Sequence, residues 1–89
     1  MQEVIEMIHA TVYGKEGCFA CKMALKWLMA SGYQPAYVDL ADDPDARERF
    51  TAQGARTLPV VTFDDGETII RQVEGFQPDA YKAVRQTGA

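Results

Sequence analysis

Two cysteines, Cys18 and Cys21, stand three positions apart in the stretch EGCFAC, and the 89-residue chain has no others. Any fold for this sequence must bring those two thiols together at one place. On a helix, residues three apart share a side, with β-carbons about 5–6 Å apart. A disulfide needs them about 3.5–4.5 Å apart, so a small adjustment in a first helical turn closes the ring. A Cys-x-x-Cys pair is therefore able to open and close without moving the rest of a fold. Three uses compete: redox pair, half of a metal site, and structural staple. A zinc site usually takes four Cys or His ligands. This chain offers Cys18, Cys21 and its single histidine, His9, so a site would require a second copy. A staple across so short a loop restricts the unfolded chain little. The redox reading is the strongest, and His9 reads as a packing or surface residue.

The surroundings of the pair support it. MIHATVY (7–13) alternates and is rich in β-branched and aromatic residues, so it reads as a strand. GKEG (14–17) is a loop. From Cys18 to about Ser31 the spacing turns helical, with Cys21, Ala24, Leu25 and Leu28 inward, Lys22 and Lys26 outward, and Gly32 as the stop. Cys18 then falls at the helix N-terminus, where free N–H groups and the dipole stabilise a thiolate and lower its pKa. Lys15 adds positive potential. Cys21 lies one turn inside, on the buried face, and stays a thiol until needed. This division makes Cys18 the attacking sulfur and Cys21 the resolving one.

The remaining elements follow in order. AYVDL (36–40) reads as a strand, and Asp43-Pro44 as a helix start, with Ala46 and Phe50 facing in and Gly54 ending it. The acidic run DLADDPDARE (39–48) is then a loop and a helix N-terminus with favourable charge placement. LPVVTF (58–63) and TIIRQV (68–73) read as strands joined by a type I′ turn at Asp65-Gly66. Pro78 opens a last helix, with Ala80, Tyr81 and Val84 inward, and the final TGA frays. Met23, Trp27 and Met29 read as core or helix-packing residues. The expected fold class is α/β, β-α-β-α-β-β-α, a single domain over 1–89. Its four-stranded mixed sheet is flanked by helices, the first three strands parallel through right-handed crossovers.

Composition narrows the function. A net charge of −4 argues against nucleic acid as the main partner. No apolar run is long enough to span a membrane, and the N-terminal MQEVIEMIHATVYG does not have the form of a signal peptide. A reducing cytoplasm is the expected compartment, where Cys-x-x-Cys more often does chemistry than cross-links.

Three features together resemble one family: the strand running into Cys-x-x-Cys, TLPVV (57–61) and GFQPD (75–79). The chain resembles the glutaredoxin branch of the thioredoxin superfamily, and within it the NrdH-type redoxins, over nearly its whole length. The resemblance implies a thioredoxin fold, and a cis bond before Pro59 that turns the Leu58 backbone outward for strand-like pairing with a substrate. Without the family pattern, an ordinary trans proline starting a strand would be preferred. It also implies substrate or partner contacts at Lys15, Thr57, Leu58, Pro59, Gly75, Phe76 and Asp79. Phe19, between the cysteines, is the best candidate for an apolar docking contact, which Phe76 would extend.

The departures bear on the electron donor. Glutathione-using members typically carry Cys-Pro-Tyr-Cys and a Gly-Gly-x-Asp-Asp segment. Here Phe19-Ala20 lie between the cysteines, Gly75-Phe76 replaces the glycine pair, and Asp79 stands alone, while Lys15 matches the glutathione-binding lysine. NrdH-type redoxins carry Gly-Phe-Arg-Pro-Asp, often after Trp-Ser; here Gln77 replaces the arginine and Val73-Glu74 the Trp-Ser. The resemblance implies electrons from thioredoxin reductase and NADPH, delivery to ribonucleotide reductase, no bound cofactor or metal, and a monomer. The alternatives are a glutathione-dependent glutaredoxin and a non-enzymatic zinc module.

Overall fold

A computed structural model of the chain describes residues 8–88, with side chains described through Val84. The expected strand start at Met7, and the first half of the N-terminal stretch read for a signal, lie outside the described residues. Seven main elements follow one another: β1 (His9–Gly14), α1 (Phe19–Ala30), β2 (Ala36–Asp39), α2 (Pro44–Ala52), β3 (Val60–Asp64), β4 (Ile69–Glu74) and α3 (Pro78–Gly88). A single 3₁₀ turn, Leu40–Asp42, takes up the end of the expected second strand. The order is the β-α-β-α-β-β-α read from the sequence.

Local chemistry sets the helix ends. Cys18 caps α1, and Asp43 caps α2 by accepting the Ala46 N–H at 3.1 Å, with Pro44 in the first turn. At the far end of α1, Gly32 has φ +99°, the left-handed conformation that lets the Tyr33 N–H turn back to the Leu28 carbonyl at 3.0 Å. The helix that Pro78 opens runs to Gly88, two residues into the stretch expected to fray; Ala89 lies outside the described residues.

The strand order is β2-β1-β3-β4. β1 pairs parallel with β2 but antiparallel with β3, which corrects the expectation of three parallel strands. Tyr13 shows the cause, because it faces Val38 near the end of β2 and Val60 at the start of β3. The connection through α2 thus returns to the end of the sheet that it left, whereas a parallel crossover would deliver the chain to the opposite end. The hairpin also differs from expectation. Among the described residues no non-glycine has positive φ, so Asp65 cannot take its place in a type I′ turn. Instead the four residues 65–68 form the loop. The Asp65 carboxylate accepts the N–H groups of Glu67 at 3.0 Å and Thr68 at 2.8 Å. Those bonds hold its pKa below the usual carboxylate value.

Alternating strand residues bury two faces. Val12, Val61, Phe63 and Val73 pack with Ala24 and Leu28 of α1 and Tyr81 and Val84 of α3. On the other face Val60 packs with Leu40, Ala46 and Phe50. The inward sets of all three helices agree with the sequence reading. Trp27 packs on the larger core, its ring 5.6 Å from that of Tyr81. Met29, read as a packing residue, is 60% exposed.

Candidate active site

The strand that ends at Gly14 passes its chain straight to the cysteines. Three loop residues follow, and Cys18 sits as the N-cap of α1. Cys18 and Cys21 are joined as a disulfide, with their α-carbons 5.3 Å apart, inside the range such a bond requires. The Cys21 N–H points at Cys18 Sγ, 3.2 Å away. This is one of the orphan donors of a helix start, and it is in place to stabilise charge on that sulfur when the ring opens. Cys18 is half-buried and Cys21 fully buried, so the two sulfurs differ in access as expected.

Gly14 makes room for the inner sulfur. A β-carbon built on it would stand 2.5 Å from Cys21 Sγ, closer than real side chains approach, and a tight 3.0 Å from Cys21 Cβ. The sequence reading treated this glycine only as a loop boundary; its role depends on a contact seven residues away.

The second half of the site is the segment before β3. The Leu58–Pro59 bond is cis. Because Val60 faces Tyr13, Pro59 lies beside the end of β1 from which the cysteine loop leaves. Two further segments hold it. The Gly75 N–H donates to the Pro59 carbonyl at 2.6 Å, and the Tyr81 hydroxyl donates to the Gly75 carbonyl at 2.7 Å. Burial pushes the Tyr81 phenol up to about 12, so it remains a donor. The Glu74 carboxylate accepts the N–H groups of Arg56 at 2.5 Å and Thr57 at 3.3 Å. In the sequence Glu74 stands out only as half of a missing Trp-Ser; in the fold it clamps the approach to Pro59. Gln77 donates its amide to the Glu74 carbonyl at 2.5 Å, so it braces the same turn.

A groove of about 360 Å³ runs beside this segment. Lys15, Thr57 and Leu58, predicted from the sequence, line it together with Arg47 and Arg56, which were not predicted. Gly75 touches the site through Pro59, and a β-carbon there would meet Thr57 Cγ2 at 3.4 Å. Asp79 is exposed in the first turn of α3, outside the groove lining. Phe19 is 75% exposed between the cysteines. Phe76 is half-buried, its ring 6.2 Å from Tyr81, so much of it serves the core. His9, at the start of β1, is separated from the cysteines by the length of that strand.

A half-buried N-cap cysteine, a fully buried partner one turn on and a cis-proline segment at the same end of the sheet define a thioredoxin-fold thiol–disulfide oxidoreductase. Comparison with known proteins gives the family. The Glutaredoxin family model matches residues 10–69. The glutaredoxin-like protein NrdH of Salmonella typhimurium is 30% identical over 77 residues, 86% of this chain and 89% of that protein. NrdH of Lactococcus lactis subsp. cremoris is 36% identical over 55 residues, 62% of this chain and 76% of that protein. Among solved structures, NrdH-redoxin of Escherichia coli superposes with a TM-score of 0.72 at 27% identity, covering 84% of this chain and 92% of that one. The glutaredoxin of Archaeoglobus fulgidus shares the fold at a TM-score of 0.66 and 19% identity, over 94% and 92% of the two chains. The chain belongs to the glutaredoxin family, as a glutaredoxin-like redoxin of NrdH type.

Proposed function

We propose that this redoxin takes electrons from thioredoxin reductase, and so from NADPH, and passes them to the disulfide of a ribonucleotide reductase. The observation that carries the reading is the 30% identity to NrdH across 86% of the chain. The structure described for the Escherichia coli NrdH-redoxin as having a thioredoxin-like activity profile supports it. The cycle uses this chain's own atoms. The Cys18 thiolate attacks one sulfur of the substrate disulfide, forms a mixed disulfide and expels the other sulfur as a thiolate. Cys21 then loses its proton and attacks Cys18 Sγ. The second substrate thiol leaves, and the Cys18–Cys21 ring closes two electrons poorer. The electrons reside in the cysteine pair, with no bound cofactor. Phe19, largely exposed beside Cys18, is the docking contact for either protein partner. The backbone at Leu58 is free to pair with an extended segment. The protein works as a monomer in a reducing cytoplasm.

One observation favours a second reading, a glutathione-dependent glutaredoxin. Lys15, Arg47 and Arg56 line one groove with Thr57, and three cations suit the carboxylates of a tripeptide. The test is NADPH consumption with a ribonucleotide reductase disulfide as acceptor, run with thioredoxin reductase and separately with glutathione and its reductase. Turnover through thioredoxin reductase alone supports the first reading; turnover through glutathione alone replaces it with the second. Cys18→Ser abolishes either activity, and Cys21→Ser accumulates the mixed disulfide. Full activity in Cys18→Ser would reverse the assignment of the two sulfurs.

A further inference from the structure

The slot left by Gly14 has two walls. The position of its missing β-carbon lies 2.5 Å from Cys21 Sγ and 2.9 Å from the hydroxyl oxygen of Tyr37. The buried sulfur and the phenol oxygen are therefore neighbours across the glycine, no further apart than those two distances laid end to end. Tyr37 arrives from the edge strand β2, where it stands opposite Val12. Its hydroxyl hydrogen is already committed, because it donates to the Lys15 carbonyl at 3.2 Å. That same carbonyl accepts the Cys18 N–H at 3.3 Å. One phenol thus ties the turn that delivers Cys18 and also borders the Gly14 slot that Cys21 Sγ borders from the other side.

We infer that Tyr37 is a positioning residue of the redox pair: in the reduced protein it accepts a hydrogen bond from the Cys21 thiol and holds the resolving sulfur protonated until the mixed disulfide forms. When a dithiol donor reduces the protein, the Cys18–Cys21 bond breaks and takes up two electrons, while the donor closes to its own disulfide. Of the donor's two protons, one ends on Cys21 and the other is released as Cys18 becomes a thiolate at the helix start. The fully buried Cys21 S–H then has the oxygen of the part-exposed Tyr37 as its neighbour across Gly14, and a buried polar group left unpaired is costly. Burial first, and Asp39 second, push the Tyr37 phenol above its ordinary value, so its own hydrogen stays on the Lys15 carbonyl. The charged neighbours bordering this side are Lys15, Glu16, Lys22 and Asp39. All four are retained when only the hydroxyl is removed.

The experiment is Tyr37→Phe, equilibrated against oxidised and reduced dithiothreitol, with the pH titration of Cys21 followed by the ¹³C shift of its β-carbon. Loss of the hydrogen bond disfavours the thiol form. The redox equilibrium moves about threefold to tenfold toward the disulfide, a potential about 15–30 mV more negative. The Cys21 midpoint moves to lower pH. An equilibrium within twofold of wild type, or a midpoint that stays or rises, overturns the inference. Tyr37→Leu removes the ring as well. If Leu shifts both readouts and Phe shifts neither, only ring packing matters, and the inference fails. Neither measurement needs a protein partner, so the result is independent of which reductase or substrate the redoxin uses.

Discussion

Tyr81→Phe tests whether the Pro59 segment is held from the far side of the core. The Tyr81 ring is fully buried among Trp27, Phe63 and Phe76, with centroid distances of 5.6, 5.8 and 6.2 Å. Phenylalanine keeps those contacts and removes one group, the hydroxyl that donates to the buried Gly75 carbonyl at 2.7 Å. A buried acceptor deprived of its donor costs about 1–3 kcal/mol. Taking about 2 kcal/mol, a domain of this size melts roughly 8–16 °C lower. Urea unfolding of the oxidised protein at pH 7 measures the loss directly. The same group gives the experiment a second arm. Burial raises the Tyr81 phenol to about 12, against 10.0 when unfolded. Above pH 10 the unfolded chain gives up this proton first, so it binds fewer protons than the native state, and stability falls as pH rises. The contribution is complete below pH 10 and lost by about pH 12, on the order of 2–3 kcal/mol in all. Tyr81→Phe has no such proton. The gap between wild type and variant therefore closes as pH climbs from 9 toward 12. A variant within about 0.5 kcal/mol of wild type at pH 7 refutes the hydrogen-bond argument, because that is the scatter of a neutral change. A gap that stays constant to pH 11.5 refutes the burial argument.

Glu74→Ala releases the Arg56 and Thr57 N–H groups. Because the carboxylate is exposed, the cost is set low, at about 1 kcal/mol. Hydrogen exchange at those two amides should accelerate about fivefold, and unchanged protection would show that the segment is held by its neighbours alone. Gly14→Ala drives a methyl group against Cys21 and the Tyr37 hydroxyl, and overpacking of this kind costs about 1–3 kcal/mol; an unchanged urea midpoint would mean that the slot has more give than its distances allow. Phe19→Ala should raise KM for a protein disulfide about tenfold, the range expected for losing an exposed aromatic anchor, while leaving reduction of a small disulfide unaltered. Equal effects on both substrates would mean that Phe19 acts on the cysteines themselves rather than on docking.

The parts of this site that could be read from the sequence are those made by residues near one another along the chain. Cys18 and Cys21 form their bond, their helix cap and their difference in burial within one turn of α1, so spacing alone exposes all three. The Asp43-Pro44 start of α2 is equally local. The direction of β3 is not. Val60–Phe63 is buried on both faces, and a run of that kind has the same pattern whichever way the strand points. Its polarity depends on where residues 53–59 bring the chain back, and no periodicity encodes that. Glu74 is a similar case. Beside Val73 it looks like a lost Trp-Ser, because Arg56, whose N–H it accepts, lies 18 residues earlier. Tyr37 lies 22 residues from the Lys15 carbonyl that it holds, on an edge strand where an aromatic residue needs no special reason. The reacting atoms are thus a local property of the sequence, while their support is assembled from four distant segments meeting at one end of the sheet. Variation in those segments is therefore a route by which redoxins with the same Cys-x-x-Cys spacing can differ in potential and in partner.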